Sequence, residues 1–207
     1  MVRGSQGSMR GAAIAAALIV ALLLAGGAML WLAQHRAPGG IAGSASIGGP
    51  FTLTDGDGKT VTDQTFRGKD MLVYFGYTYC PDVCPTTLTN VAAALDKLGV
   101  RGDRLVPVFI TVDPRRDTPA VVKQYAAAFS PRIVGLTGTP EQIKAVAREY
   151  RVYYAEHRTG PGPDDYAMDH SSILYLMGPN GKFVSVVPAE EGADTIAADL
   201  ARQLPSS

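Results

Sequence analysis

Two hydrophobic patterns divide the chain: an unbroken apolar run near the N-terminus and, after Pro50, short apolar runs alternating with helically spaced ones. In the second part, Phe51 to Thr54 and Thr60 to Thr62 flank Asp55-Gly56-Asp57-Gly58, the signature of a hairpin. Met71 to Phe75 is a short apolar strand. Leu88, Val91, Ala92, Leu95 and Leu98 then recur at helical spacing until Gly99 stops the helix. Leu105 to Val112 is apolar except at Pro107 and Thr111, as expected of a strand buried on both faces. Thr118-Pro119 and Thr139-Pro140-Glu141-Gln142 start two further helices, each with a threonine N-cap and proline at the first helical position, and Gln142 completes a capping box. A short strand near Ile133 to Leu136 separates them. Residues Ala155 to Tyr166, with Gly160-Pro161-Gly162-Pro163, read as a loop. Ile173 to Met177, the turn Pro179-Asn180-Gly181, and Phe183 to Val187 form a second hairpin, and Ala193 to Leu204 a closing helix. This alternation predicts an α/β domain of thioredoxin-like architecture, a central sheet with helices on both faces.

The N-terminal run changes the picture of where that domain resides. From Ala12 to Ala33 there are 22 residues without a charge, and at about 1.5 Å per residue they suffice to cross a bilayer core of about 30 Å. Arg3 and Arg10 precede the run and no acidic residue occurs before Asp55, so the rest of the chain is expected outside the cytoplasm. That compartment is the bacterial periplasm, facing out from the inner membrane, or an equivalent one. Leu24-Ala25-Gly26-Gly27-Ala28 would also suit cleavage of a signal peptide, but the apolar run continues through Leu32, which favours an uncleaved anchor. No cysteine lies near its end to take a lipid. The expected organisation is a cytoplasmic tail (1–11), a single-pass transmembrane anchor (12–33), a flexible Gly, Ala and Ser linker (34–49) and one domain (50–207). Such a domain can bury about 70% of its unfolded surface without covalent staples.

Charge excludes one class of partner. Three of the 19 basic residues and none of the 19 acidic ones precede Ala37, which leaves the remainder at a net charge of −3. Nothing in this distribution suits nucleic acid.

The candidate chemistry is concentrated in Tyr77-Thr78-Tyr79-Cys80-Pro81-Asp82-Val83-Cys84-Pro85, which holds the only two cysteines in the chain. A domain that folds without a disulfide, yet keeps two thiols in an oxidising compartment, keeps them for chemistry. A strand delivers them to the start of a helix, where free backbone N–H groups and the dipole favour thiolate. Three intervening residues place the thiols at i and i+4. That spacing permits either a disulfide or a two-thiolate metal clip.

Three separated motifs resemble the Sco/SenC family of membrane-anchored copper proteins: Phe75 to Pro85, Phe109 to Pro119, and Asp169-His170-Ser171-Ser172. The likeness extends over about residues 48 to 203 and includes Gly135-Leu136-Thr137-Gly138 and Tyr150 to Tyr154. It implies a thioredoxin-like domain that binds one copper ion through Cys80, Cys84 and His170. It also implies delivery of that ion to the binuclear copper site of cytochrome c oxidase subunit II, with an upstream copper donor or thiol reductant as second partner. Many relatives carry histidine where Tyr79 stands. The implied protein is a metallochaperone rather than an enzyme. Two thiolates and one imidazole suit Cu(I), and with a further ligand Cu(II).

The other candidates are weighed against that set. His35 is expected to be solvated next to the membrane and His157 to lie in the mobile loop. Asp82 and Asp169 are candidate hydrogen-bond acceptors or docking charges beside the ligands. Asp113 is expected to cap a turn, Arg115, Arg116 and Asp117 to pair locally, Tyr77 and Tyr79 to pack around the cysteine turn, and Met168 to pack in the core. The alternative function is a membrane-tethered thiol-disulfide reductase or redox sensor, with Cys80 attacking and Cys84 resolving. Against it, no proline lies between Asp164 and Gly178, where thioredoxin-fold redox enzymes place a cis-proline opposite their cysteines; His170-Ser171 occupies that region.

Overall fold

The computed structural model describes residues 18–29, 31 and 47–204, and the chain divides into two units, Met1–Ala45 and Ser46–Ser207. In the first, residues 18–29 are helical and exposed. The expected anchor, 12–33, extends beyond the described residues at both ends, and among the described residues no helix is long and apolar enough to cross a membrane.

The second unit is built on a seven-stranded mixed sheet. Its strands are β1 (Thr52–Asp55), β2 (Thr60–Thr62), β3 (Asp70–Gly76), β4 (Leu105–Thr111), β5 (Val134–Thr137), β8 (Ile173–Met177) and β9 (Phe183–Pro188), in the order β2-β1-β5-β4-β3-β8-β9. The parallel strands β3, β4 and β5 form the centre, and β1 and β8 join them antiparallel. Every residue of β3 is buried, which explains why it reads as a continuous apolar run rather than an alternating one.

Helices cover both faces, as the alternation predicts. Tyr74 and Phe109 are register partners in β3 and β4; on their face lie α1 (Val83–Leu98), through Cys84 against the Tyr74 hydroxyl, and α2 (Pro119–Phe129), through Tyr125 against Phe109. On the other face, Phe75 and Tyr175 pack against Tyr150 of α3 (Pro140–Tyr150). The closing helix α4 (Ala193–Gln203) lies beside α1. Local chemistry sets the helix ends. Thr118 and Thr139 cap as expected, and Thr139 and Gln142 exchange both capping-box hydrogen bonds. Gly48, placed by the sequence in the linker, already donates to the Glu149 carbonyl.

One element departs from expectation. Residues Ala155 to Tyr166 are not simply a loop: β6 (Tyr154–Arg158) and β7 (Tyr166–His170) form a two-stranded antiparallel sheet of their own. The exposed Glu156-His157-Arg158 stretch has no apolar alternation to betray a strand, and only pairing with β7 makes it one. His157 therefore lies on an ordered strand rather than in a mobile loop, and His170 ends β7, with Ser171 and Ser172 between it and β8.

Candidate metal centre

Strand β3 ends at Gly76, and the turn that follows carries Cys80 just outside α1, with Cys84 in its first turn. The two thiols are thus not stacked along one helix. Cys80 sits ahead of the helix, and the backbone N–H of Cys84, one of the donors that the start of a helix leaves free, points at Cys80 Sγ at 3.4 Å. Gly76 leaves room for the Cys84 sulfur against the end of β3: a Cβ there would lie 2.7 Å from Cys84 Sγ and 3.0 Å from the Phe109 ring.

The third group arrives on β7, whose alternation turns Tyr166 and Met168 into the core and leaves Asp169 exposed. His170 faces the cysteines, with Nε2 3.3 Å from Cys84 Sγ, while Nδ1 is 3.2 Å from the Ser171 carbonyl oxygen. Nδ1–H donating to that carbonyl leaves the Nε2 lone pair for a ligand. Cys80 Sγ, Cys84 Sγ and a ring nitrogen of His170 all lie within 4.8 Å of one another. Tyr74 and Tyr77 wall the imidazole edge-on, at 6.1 and 5.9 Å between ring centroids. The Tyr74 hydroxyl also donates to Cys84 Sγ at 3.8 Å.

The thiols are inequivalent. Cys84 is fully buried and Cys80 partly exposed. The hydrogen bond from Cys84, more than the Cys84 and Asp82 backbone N–H groups and against the opposing effect of burial, draws the Cys80 pKa down to about 3. The same hydrogen bond, with burial second, pushes the Cys84 thiol up. The metal-free pair is one thiolate solvated by one thiol.

A buried carboxylate fixes the turn. Asp117 accepts hydrogen bonds from the Thr78 N–H at 3.0 Å, the Thr78 hydroxyl at 2.6 Å and the Thr111 hydroxyl at 2.5 Å. Its own carbonyl accepts from Thr137 at 2.7 Å, so one residue ties β4 and β5 to the loop two positions before Cys80. Asp113 is more than a turn cap: its buried carboxylate accepts from Arg116 Nε at 2.5 Å and from the Tyr166 hydroxyl at 2.8 Å. Arg115 pairs with Glu156 across the fold. Of the three residues expected to pair locally, Arg116 and Asp117 have side-chain partners within the same motif, Asp113 and Thr111, while Arg115 reaches Glu156.

The remaining candidates separate from the site. Asp169 faces out and meets His157 Nδ1 at 3.4 Å, so the Ser171 carbonyl, not Asp169, orients His170. Asp82 is the exposed N-cap residue of α1, without a side-chain cap bond. Met168 packs in the core, Tyr77 is buried and Tyr79 exposed. His35 lies outside the described residues. Sequence reasoning missed Tyr74, which an apolar strand disguises. Asp117, although inside a quoted motif, was missed as an anchor because its partner Thr78 is 39 residues away.

Several known proteins resemble this chain. The SenC protein of Rhodobacter capsulatus is 43% identical over 197 residues, 92% of this chain and 88% of the relative. The mitochondrial SCO1 homolog 1 of Arabidopsis thaliana is 46% identical over 164 residues, and the match spans about half, 48%, of that longer protein. The structure of Bradyrhizobium japonicum ScoI with copper bound superposes with a TM-score of 0.70 at 47% identity, covering 77% of this chain and 100% of that one. BsSco, a member of the Sco family of cytochrome c oxidase assembly proteins in which a disulfide switch is known, superposes at 0.59 with 26% identity, covering 76% of this chain and 93% of that one. These likenesses establish the thioredoxin-like fold. The SCO1/SenC family model matches residues 40–205, which include the cysteine turn, the Asp113–Asp117 segment and His170, and the chain belongs to that family.

Proposed function

We propose that this protein is a copper metallochaperone, which holds one copper ion on Cys80, Cys84 and His170 and delivers it to the binuclear copper site of cytochrome c oxidase subunit II. The observation that carries the reading is the convergence of two sulfurs and one imidazole nitrogen within 4.8 Å of one another. Soft sulfur donors with a neutral nitrogen select Cu(I), and three ligands leave an approach for the receiving protein. Cu(II) would need a further ligand. Cys80 is already a thiolate, so loading must displace the Cys84 proton, and acid should therefore favour release. The copper-bound relative and the oxidase-assembly relative support metal and partner respectively.

In this reading the domain is held by a single-pass anchor over residues 12–33, outside the cytoplasm, in the compartment where the oxidase copper site is assembled. A donor supplies copper and a reductant keeps both thiols reduced.

The test is the copper stoichiometry of the reduced chain, purified anaerobically in detergent, as wild type and as His170→Ala. About one tightly held copper per wild-type chain, lost in the variant, supports the reading. No retained copper in the wild type sinks it.

The inequivalence of the thiols favours one second reading, a thiol-disulfide reductase. Cys80 thiolate would attack a partner disulfide and form a mixed disulfide. Cys84 would then lose its proton and attack Cys80 Sγ, releasing the partner as a dithiol and leaving Cys80 and Cys84 oxidised. In that case His170→Ala would leave exchange nearly intact.

A further inference from the structure

The hairpin that carries His170 is a two-stranded sheet separate from the seven-stranded one, so something other than a ladder must aim it at the cysteines. One side chain reaches both halves of the site. Arg116 donates from Nε to the buried Asp113 carboxylate, and from Nη1 to the Asp164 carbonyl at 3.2 Å and the Tyr166 carbonyl at 3.0 Å. Its guanidinium carbon lies 3.6 Å from the centroid of the Tyr166 ring, which opens β7, and 4.7 Å from that of Tyr79, which precedes Cys80. The Tyr166 hydroxyl closes the circuit on the same Asp113.

We propose that Arg116 is a positioning residue for the metal centre: stacked between Tyr79 and Tyr166, it sets the angle at which β7 presents His170 to Cys80 and Cys84. The proposal rests on the copper reading above. The lever is long. Tyr166 and His170 are four residues apart, roughly 13 Å along a strand. A tilt of roughly 5° at the clamp would move the imidazole by about 1 Å, beyond the roughly 0.5 Å that a preformed site tolerates. Only a planar fork can bond a carboxylate and two carbonyls while stacking on a ring. Lysine keeps the charge and loses that geometry.

A double-mutant cycle on the full-length protein tests this. Cu(I) affinity is measured by competition with bicinchoninate, anaerobically, for wild type, Arg116→Lys, His170→Ala, which keeps a weaker two-thiolate site that competition can still read, and the double variant. Arg116→Lys is expected to weaken Cu(I) binding about tenfold in the wild-type background, and by less than about twofold once His170 is gone. Equal losses in both backgrounds would show that Arg116 acts on the cysteine turn or on the fold, and no loss in the wild type would show that it does not position the site. Either overturns the proposal. Tyr166→Phe, which removes the hydroxyl with its bond to Asp113 and its contact to Arg115 but keeps the ring under Arg116, covers a failure of Arg116→Lys to fold, and its smaller loss should depend on His170 in the same way. If the wild type itself held no copper, the metal reading would fail, and amide hydrogen exchange of the metal-free protein would still judge the clamp. Arg116→Lys, or Tyr166→Phe in its place, should then speed exchange in β6 and β7 and leave β3 and β4 unchanged; unchanged exchange in β6 and β7 overturns the clamp.

Discussion

Replacing Asp117 should be costly, and by how much depends on what replaces it. Its carboxylate, fully buried, accepts three hydrogen bonds, from the Thr78 N–H, the Thr78 hydroxyl and the Thr111 hydroxyl. Asp117→Ala strands all three donors, at about 1–3 kcal/mol each. The low end applies, because the two hydroxyls can turn elsewhere and because alanine recovers the cost of burying the charge. A total of about 3 kcal/mol follows, which for a domain of this size lowers Tm by roughly 6–12 °C. Asp117→Asn is different. Its amide oxygen can still accept from the Thr78 N–H and the Thr111 hydroxyl, and its NH2 can donate to Thr78 Oγ1, so a loss of about 1 kcal/mol or less is expected. Urea unfolding of the metal-free protein measures both. Equal losses for Ala and Asn, or an Ala variant within about 0.5 kcal/mol of wild type, would refute the claim that these hydrogen bonds hold the cysteine turn.

Asp117 also makes a pH prediction. Burial outweighs its hydrogen bonds and raises its pKa above 3.8, so the folded protein binds that proton more tightly than the unfolded chain does. Its contribution is fully present below pH 3.8 and lost as pH rises through the folded value; the stability of wild type relative to Asp117→Asn should improve as pH falls across that window, and unfolding midpoints that keep a constant gap would refute it. Gly76→Ala should destabilise by about 1–3 kcal/mol through overpacking and weaken metal binding, since its methyl would meet Cys84 Sγ at 2.7 Å; unchanged copper retention would show that the thiol has room to move. Iodoacetamide should label Cys80 before Cys84, at a rate nearly independent of pH from 5 to 8, because the Cys80 pKa is drawn down to about 3. Cys84→Ala removes the main cause and should restore an ordinary rise with pH, which peptide mass mapping would show; a rate that climbs with pH in the wild type would contradict the assignment. Loading with Cu(I) near pH 7 should release about one proton per chain rather than two, since only Cys84 still carries one, and calorimetry in buffers of different ionisation heat counts it.

Much of the fold was legible because its signals are local. The fully buried β3, the Thr139 and Gln142 capping box and the Asp55 to Gly58 hairpin each depend on residues within a few positions of one another, and each was read correctly to within about a residue. The β6 strand was not. Its residues are polar and exposed, so their extended conformation comes from the β7 ladder and leaves no period in the sequence. That omission placed His157 in a loop and hid how His170 is carried.

By itself the sequence determined the chemistry available: two thiols in one turn at a helix start, one histidine in a motif, an apolar run of membrane-spanning length, and a domain large enough to fold without a disulfide. It also brought Cys80 and Cys84 together, since four residues cannot separate them far. Only the tertiary structure decided that His170, 86 residues beyond Cys84, stands 3.3 Å from its sulfur, that Asp169 turns away, and that Cys80 is the thiolate and Cys84 the thiol. Residue types and short-range periodicity are written along the chain. Burial, hydrogen-bond direction and the distance between remote side chains exist only once the sheet has closed around them.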